Sequence, residues 1–252
     1  MTETFTKNPA EPQAALAEAA GLRWLREASD AVAEVVSADE RQITTARVTP
    51  VRPTAEAARE AGRELARIHL AGAEAFGSPP PGWDGPNYIG TQAQECTPTD
   101  NWGEFYADQR VLPFTEKAQR VGHLSADGLE TVRRACALIR AHDWDPDPAP
   151  ARLHGDLWSG NLLFGKRGAV MIDPAAHGGH PETDLAMLAL FGAPHLDEIR
   201  AGYTEVNPLP DGWLTHTPIH QLHPLAVHAA SHGPSYGDAL VDAARETISI
   251  LG

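Results

Sequence analysis

Few features of this sequence would cross-link a fold or hold it in a membrane. Only 2 of its 252 residues are cysteines, Cys96 and Cys136, and they lack the CxxC or histidine spacing of a disulfide framework or a zinc site. No window of about 18 residues is apolar and uncharged. The N-terminal segment MTETFTKNPAEPQ has neither the basic start nor the apolar stretch of a signal peptide. We therefore expect a soluble, cytoplasmic protein that makes no membrane contact.

Basic residues are also scarce. The chain has 20 Lys and Arg against 34 Asp and Glu, which gives a formal charge of −14 at pH 7. Such a charge repels nucleic acid and anionic lipid but tolerates cationic substrates, so we expect no nucleic-acid partner. The hydrophobic content of 42% suffices for an ordinary core in one large domain or two small ones. The pattern indicates no oligomeric state.

The first part of the chain alternates short strand-like and helical patterns. We predict a strand at Thr4–Lys7, a helix over Glu11–Ala28 and a second strand over Arg41–Val48. Thr54 has the side chain of a helix N-cap, and the helix that follows is expected to run to about Ala71. Its apolar positions recur at helical spacing, which predicts one buried face.

The middle of the chain changes character twice. Gly77–Asp100 is rich in proline and glycine, which favours a long surface loop. Asp100 is the expected cap of the next helix. A further helix is predicted to begin at Ser125 and to end before the Pro/Asp-rich stretch Asp143–Pro150. The residues that it should bury are Leu129, Val132, Cys136 and Ile139.

A β-hairpin is predicted where two short apolar runs, Leu162–Phe164 and Ala169–Ile172, flank a four-residue loop. The segment HGDLWSGN at 154–161 precedes it, and Asp173 follows it. Because a hairpin folds its ends together, Asp156 and Asn161 are expected to lie close to Asp173. Beyond the hairpin the pattern is helical.

These three side chains suit phosphoryl transfer. The reaction needs a metal ion with hard oxygen ligands on the phosphates, which Asn161 and Asp173 can supply. It also needs a carboxylate that orients and deprotonates the attacking hydroxyl, and Asp156 is the candidate. Alternatively, HGD could be a simple turn and Asp173 a strand-end cap. The joint order of Asp, Asn, hairpin and second Asp favours the catalytic interpretation.

The segments HGDLWSGN and IDPAAHGGHPETDLAMLALFG resemble the fructosamine-3-kinase (ketosamine kinase) family, which belongs with aminoglycoside phosphotransferases and choline kinases among protein-kinase-like folds. Further similar segments are LARIH, PPPGWDGPNYIG, WGEFYADQR and HQLHPLAVHAASHGPSYGDA. Together they cover most of residues 54–240. The resemblance implies an α+β, two-lobe fold with a shortened N-terminal β lobe at residues 1–48, which binds nucleotide, and a mainly helical catalytic lobe at residues 49–252.

The resemblance also implies roles for four polar residues of the second lobe. Asp156 would be the base acting on the sugar 3-hydroxyl of a ketosamine, which is a fructosamine or ribulosamine adduct. Asn161 and Asp173 would hold Mg²⁺, and Asp184 in ETDLAM would support the loop that carries the base. The acceptors implied are small ketosamines or glycated proteins, and the reaction would repair glycation.

The nucleotide and substrate contacts come from two further matches. TFTK resembles the strand whose lysine, here Lys7, holds the α- and β-phosphates of ATP, and AEAAGL resembles the following helix with Glu18 as the partner of that lysine. Trp158 and His154 would contact the substrate, Trp158 as an apolar wall. A core-packing role for Trp158 and a solvated Lys7 are the alternatives.

Some segments depart from the family. A Gly-rich loop between two strands normally precedes the lysine strand, but six residues before Lys7 are too few to build it, so either the coding start is misplaced or the loop is lacking. A pseudokinase or binding protein, or another small-molecule kinase such as an aminoglycoside or choline kinase, is therefore an alternative. Gln92–Thr99 departs as well. His216/His220 and His228/His232 have helical metal-ligand spacing, but Pro218, Pro224 and Pro234 are expected to interrupt the helix.

Overall fold

A computed structural model describes residues 3–142 and 149–252 of the chain. Part of the Pro/Asp-rich stretch named above, residues 143–148, lies outside the described residues. Across the two described ranges, no helix combines the length and the apolar character that a membrane crossing requires. Both cysteines are free thiols.

The N-terminal part contains an antiparallel sheet and one helix. Strands β1 (Thr4–Lys7), β2 (Val35–Ala38) and β3 (Ile43–Ala46) lie in the order β1-β3-β2. The prediction for Thr4–Lys7 is confirmed and the strand over Arg41–Val48 is shorter than predicted. Strand β2 was not predicted, because its burial does not alternate along the strand and its sequence carries no period of two.

Helix α1 (Ala14–Arg26) is shorter than the predicted Glu11–Ala28 and buries Ala15, Ala19, Leu22 and Leu25 on one face. It packs closely on the chain that follows Asp173, since a Cβ on Gly21 would lie 3.1 Å from the Cβ of Ala176. This close approach brings the helix, and Glu18 on it, beside the end of the predicted hairpin.

Helix α2 (Ala55–Leu70) begins at its predicted cap, where the Thr54 side chain accepts a hydrogen bond from the Ala57 amide. Its predicted apolar face is buried. Helix α7 (Leu196–Val206) packs against it at two glycines: a Cβ on Gly62 would lie 1.9 Å from one backbone oxygen of α7, and a Cβ on Gly202 would lie 1.8 Å from one of α2. Only glycine permits so close an approach.

The prediction of a loop over Gly77–Asp100 is wrong in part. Strands β4 (Asn87–Ile89) and β5 (Gln92–Gln94) form an antiparallel hairpin within it, and several of its residues are buried. Strands of three residues are too short to show a pattern above the surrounding proline and glycine. Their alternation of buried and exposed residues appears only once they pack against the helical core.

The following helices lie close to their predicted positions. Asn101, and not the expected Asp100, caps helix α3 (Trp102–Phe105) by accepting from the Glu104 amide. The chain continues through a π-helical turn, Tyr106–Val111, into helix α4 (Leu112–Arg120). Ser125 caps helix α5 (Ala126–Ala141), which confirms the predicted start; of the predicted face, Leu129 is only partly buried.

The predicted hairpin is present. Strands β7 (Leu162–Gly165) and β8 (Gly168–Met171) pair antiparallel, and because Gly165 pairs with Gly168 the loop has two residues rather than the predicted four. A second pair, β6 (Ala151–Leu153) and β9 (His177–Gly179), brackets the hairpin and was not predicted. These two strands hold the segments before and after the hairpin together.

The C-terminal part consists of helix α7, described above, and helices α6 (Glu182–Leu190), α8 (Thr217–His232) and α9 (Pro234–Leu251), with a 3₁₀ turn at Trp213–His216. The expectation that proline interrupts the histidine-rich segment is wrong at Pro224, which lies inside α8. Proline costs the helix one hydrogen bond, but α8 packs against α4, α6 and α9, and this burial maintains it.

Candidate active site

One cleft collects most of the predicted site residues. It has a volume of about 580 Å³ and lies between α1, the β4–β5 hairpin, the loop at 154–161 and the end of α8. The predicted residues that line it are Lys7, Glu18, Asp156, Trp158, Asn161 and Asp173. The two other predicted residues, His154 and Asp184, lie beneath the loop.

The loop takes a sharp course at Gly155. This residue has a φ of +80°, and a Cβ there would lie 2.3 Å from the backbone oxygen of Ala175. The next backbone amide, that of Asp156, donates to His154 Nδ1 over 3.2 Å. The turn thereby projects the Asp156 side chain into the cleft, and only glycine can occupy position 155 without displacing the neighbouring chain.

Asp184 holds this loop from below. Its carboxylate accepts backbone hydrogen bonds from His154 (2.8 Å) and Gly155 (3.0 Å) and lies 3.1 Å from Nε2 of His69. Burial opposes ionisation, but the contact with His69, the charges nearby and the backbone donors together hold the pKa of Asp184 below its ordinary value. The loop is therefore fixed by an ionised, fully buried carboxylate.

His69 is a site residue that the sequence interpretation missed. It lies in the LARIH segment and has the spacing of a buried helix position, which carries no sign of a polar role. Its ring bridges Asp184 and the hydroxyl of Tyr203, which lies 2.8 Å from Nδ1. The Tyr203 hydroxyl in turn accepts from the Asn207 amide over 2.9 Å.

Asp156 and Asn161 are directly linked. The Asn161 side-chain amide donates to the Asp156 backbone oxygen (2.8 Å) and to its carboxylate (3.2 Å). Burial raises the pKa of Asp156 to about 7, and the charges of Asp173 and Asp184 act in the same direction. A carboxylate with a pKa near 7 is suited to accept a proton at neutral pH.

Asp173 lies at the end of the hairpin in a left-handed conformation, with a φ of 55°. Its carboxylate lies 3.0 Å from the ammonium of Lys7, which lies 2.6 Å from that of Glu18. Burial raises the pKa of Glu18 to about 7 despite the opposing effect of Lys7. Burial would lower the pKa of Lys7, but the two carboxylates raise it. The cleft thus contains a fixed cation between two acids.

The donor set fits Mg²⁺. Asp173 offers a carboxylate that is 44% exposed at the cleft. Asn161 directs its amide nitrogen to Asp156, which leaves its amide oxygen for another partner. Carboxylate and amide oxygens are the ligands that Mg²⁺ takes in proteins, together with substrate phosphates.

Trp158 is 42% exposed and forms one wall of the cleft. Its ring covers Gly160, where a Cβ would lie 2.3 Å from a ring carbon, and it makes an edge contact with Phe191 at 6.3 Å between centroids. The exposure does not fit the alternative of a core-packing role. An indole face beside Asp156 provides an apolar surface for a substrate.

His154 does not reach the cleft. Its ring is buried: Nε2 lies 2.9 Å from the backbone oxygen of Ile172, and Nδ1 accepts from the Asp156 amide. Both nitrogens are therefore used by the loop and the hairpin strand. This placement disagrees with the expected substrate contact and indicates that His154 shapes the loop. The HGD motif alone does not indicate such a role.

The C-terminal histidines lie in two places. His228 and His232 line the cleft and stack at 5.0 Å between ring centroids. His220 lies buried beside Glu182, with 3.5 Å between Nε2 and a carboxylate oxygen. Within residues 3–142 and 149–252, no group of three His, Cys, Asp or Glu side chains has the geometry of a metal site.

Comparison with known proteins gives the following matches. A family model described as fructosamine kinase matches residues 6–249. A candidate fructosamine-3-kinase of Thermobifida fusca YX-ER1, known from a crystal structure, is 44% identical with a TM-score of 0.91, covering 98% of this chain and 86% of that one. A candidate ketoamine kinase of Escherichia coli strain K12 is 35% identical over 185 residues, which are 73% of this chain and 62% of that protein.

More distant structures share the fold alone. The choline kinase LicA of Streptococcus pneumoniae is 13% identical with a TM-score of 0.63, covering 98% of this chain and 86% of that one. The predicted protein-kinase-like α+β fold is confirmed. The chain spans 63%, 57% and 62% of the length of three curated relatives, which is less than two-thirds of each.

Proposed function

The chain belongs to the fructosamine kinase family, as its motifs predict, and from this premise we propose that it uses ATP to phosphorylate the sugar 3-hydroxyl of ketosamines. The observation that carries the proposal is the single cleft in which Lys7, Asp156 and Asp173 meet. The acceptors are small ketosamines or ketosamines on glycated proteins. Phosphorylation at this position destabilises the adduct, so the reaction repairs glycation.

Asp156 is the proposed base. Its carboxylate stands at the tip of a loop fixed by Asp184, and it accepts the proton of the attacking hydroxyl. Asn161 donates to this carboxylate and restrains its rotation. Because the pKa of Asp156 is raised to about 7, the group is ionised in a substantial fraction of molecules at neutral pH and binds a proton more tightly than an exposed aspartate.

The nucleotide side is assigned to residues 1–48, with residues 49–252 as the catalytic lobe. Lys7 holds the α- and β-phosphates, and Glu18 fixes the ammonium in place. Asn161 and Asp173 would hold Mg²⁺, which would supply positive charge to neutralise the phosphates of the nucleotide. Lys7 contacts Asp173 as well, so the lysine and the proposed metal ligand form one ion pair.

The acceptor side is assigned to the wall that Trp158 forms. The indole packs against the apolar face of the sugar, and its exposed surface lines the same cleft as Asp156. The acidic lining tolerates the amine of a ketosamine, which is cationic when protonated. His154 is assigned a supporting role under the loop and no substrate contact, in keeping with its burial.

The test is turnover of defined acceptors. The protein is incubated with ATP, Mg²⁺ and either fructosyl-lysine or ribulosyl-lysine, and ADP and phosphorylated product are measured. Asp156→Asn should lower turnover by about 10²–10⁴-fold with an unchanged melting temperature. Asp211→Asn, the same chemical change at an exposed position, should leave turnover as in the unmodified protein.

The outcomes separate the competing functions. Turnover of an aminoglycoside or choline in preference to both ketosamines would identify another small-molecule kinase. Tight binding of ATP with Mg²⁺ and no turnover of any acceptor would identify a binding protein. Retained ketosamine turnover in Asp156→Asn would refute the assignment of the base. Glycated protein is tested beside free fructosyl-lysine to decide the size of the acceptor.

A further inference from the structure

A buried hydrogen-bonded chain extends from α7 to the loop that carries Asp156. Its links are Asn207 Nδ2 to the Tyr203 hydroxyl (2.9 Å), that hydroxyl to His69 Nδ1 (2.8 Å) and His69 Nε2 to Asp184 (3.1 Å). Asp184 then accepts the backbone amides of the loop. Tyr203, His69 and Asp184 are each at most 3% exposed.

With a neutral His69 ring, donor and acceptor chemistry fixes the direction of every bond in this hydrogen-bonded chain. The ionised carboxylate of Asp184 can only accept, so His69 Nε2 carries the proton between them. In the neutral ring Nδ1 is then an acceptor, and the Tyr203 hydroxyl donates to it. Asn207 offers an N–H to the same hydroxyl oxygen, which uses an oxygen lone pair and leaves the hydroxyl proton for His69.

The reverse direction leaves groups unpaired. If His69 Nδ1 carried the proton of a neutral ring, the Nε2 lone pair would face the Asp184 carboxylate at 3.1 Å, two acceptors in a site without water access. Asn207, at the α7 end of the hydrogen-bonded chain, thus favours the arrangement in which the Tyr203 hydroxyl donates to His69. The close packing of α2 on α7 at Gly62 and Gly202 holds His69 on α2 beside Tyr203 on α7.

We propose that Tyr203 and Asn207 are positioning residues for phosphoryl transfer: Asn207 orients the Tyr203 hydroxyl, which holds the His69 ring so that it fixes Asp184 and, through Asp184, the loop of Asp156. The kinetic part rests on the proposed function. Because Lys7, Glu18 and Asp173 lie outside the chain of bonds, loss of the hydroxyl acts on kcat and leaves the KM for ATP unchanged.

Tyr203→Phe removes only the hydroxyl. It should lower kcat about three- to ten-fold, the effect of one hydrogen bond, without changing the KM for ATP. The matched control is Tyr106→Phe, since Tyr106 is 1% exposed and its hydroxyl also donates once, to Ile219, and accepts once, from His223. Tyr106→Phe should lose about as much stability as Tyr203→Phe and keep the kcat of the unmodified protein. An unchanged kcat in Tyr203→Phe, or an equal loss in both variants, overturns the proposal.

Asn207→Asp replaces the donor by an acceptor that competes for the phenol proton. It should lower kcat by a similar factor alone and have no further effect when combined with Tyr203→Phe, because Asn207 acts through that hydroxyl. Additive losses in the double variant contradict this route.

A spectroscopic test works without turnover. In protein labelled with ¹⁵N in the histidine rings, the His69 signals are assigned from their loss in His69→Gln. Nε2 should be protonated in the unmodified protein, and in Tyr203→Phe the Nδ1 resonance should move toward that of a ring nitrogen without a donor. An unmoved Nδ1 resonance overturns the proposal. If the resonance shifts but the protein phosphorylates no ketosamine, the proposed function is refuted and the hydrogen-bonded chain is supported.

Discussion

The ammonium of Lys7 lies 3.0 Å from the carboxylate of Asp173 and 2.6 Å from that of Glu18. The cation is thus held between the two acids before any phosphate is present. Both carboxylates raise the pKa of Lys7, so the ammonium is charged at every pH at which the protein is expected to be active. A phosphate that approaches Asp173 meets a lysine already in position, and little side-chain freedom remains to be lost on binding.

Lys7→Met should therefore weaken ATP binding about ten-fold or more, the effect of a charge-assisted hydrogen bond. Calorimetric titration with ATP and Mg²⁺ measures it, and titration with adenosine, which has no phosphates, should give the same affinity in both proteins. Lys166→Met makes the same change on the exposed β7–β8 turn and should bind ATP normally. Equal weakening for adenosine would mean that Lys7 supports the fold and not the phosphates.

The pH dependence of turnover should report Asp156. A base must be deprotonated to act, and burial raises the pKa of this group to about 7, so kcat/KM should fall as the pH drops through about 7 and level off above it. Glu18 has a pKa of about 7 for the same reason and contributes to the same limb. In Glu18→Gln the limb should persist at lower overall activity. A limb confined to the range of an exposed aspartate, about pH 4, contradicts the assignment.

The part of the site that is local in sequence was predictable, and the part built by distant contacts was not. Asp156, Asn161 and Asp173 surround one hairpin, so turn signals and a period of two suffice to bring them together. His69 and Asp184 are 115 residues apart, and the spacing of His69 on α2 is that of any buried helix position. Nothing in a single sequence indicates which buried polar residue pairs with which.

The errors in the fold have the same origin. Four strands, β4, β5, β6 and β9, have only three residues each, and they form because they pair with another segment. Strand β9, for example, follows the hairpin and pairs with β6, which precedes it. Pro224 was expected to break α8 on local grounds, and packing on three neighbouring helices overrides that preference. His154 shows the limit of a motif: the HGD segment predicts a turn, but the direction of the His154 ring depends on a contact with Ile172, 18 residues away.

Gly160 should determine the position of the Trp158 indole, which forms the proposed acceptor wall of the cleft. A methyl group at position 160 would lie 2.3 Å from the indole and must displace it. Gly160→Ala should raise the KM for the ketosamine about ten-fold, in line with the loss of one aromatic contact, while the KM for ATP stays unchanged. Steady-state kinetics with each substrate varied in turn measures both.

The control for this effect is the double variant of Gly160→Ala with Trp158→Ala. Trp158→Ala removes the ring, so Gly160→Ala should raise the KM for the ketosamine no further in that background. A further rise would show that position 160 acts on the loop backbone and not on the indole. Trp83→Phe, an aromatic change outside this cleft, should leave both KM values as they are.

Glu182 should make the fold less stable at high pH. Glu182 is 5% exposed, and in the part of the chain that the structure describes its Oε2 has no hydrogen-bond partner. Burial raises the pKa of Glu182 to about 7. The folded state then binds the proton more tightly than the unfolded chain, so the free energy of unfolding falls as the pH rises from about 4.5 toward 7 and changes no further above it.

Glu182→Gln removes this charge while keeping the shape of the side chain. At pH 8 the variant should be more stable than the unmodified protein by about 1–3 kcal/mol, because the unmodified protein must bury an ionised carboxylate there. At pH 5 the glutamic acid is neutral in the fold, and the two proteins should differ little. Urea titrations at both pH values measure the difference, with exposed Glu130→Gln as the control for loss of one negative charge. If Glu182→Gln is equally destabilising at pH 5 and pH 8, the carboxylate is ionised and paired in the fold, and His220, at 3.5 Å, would then carry the compensating proton.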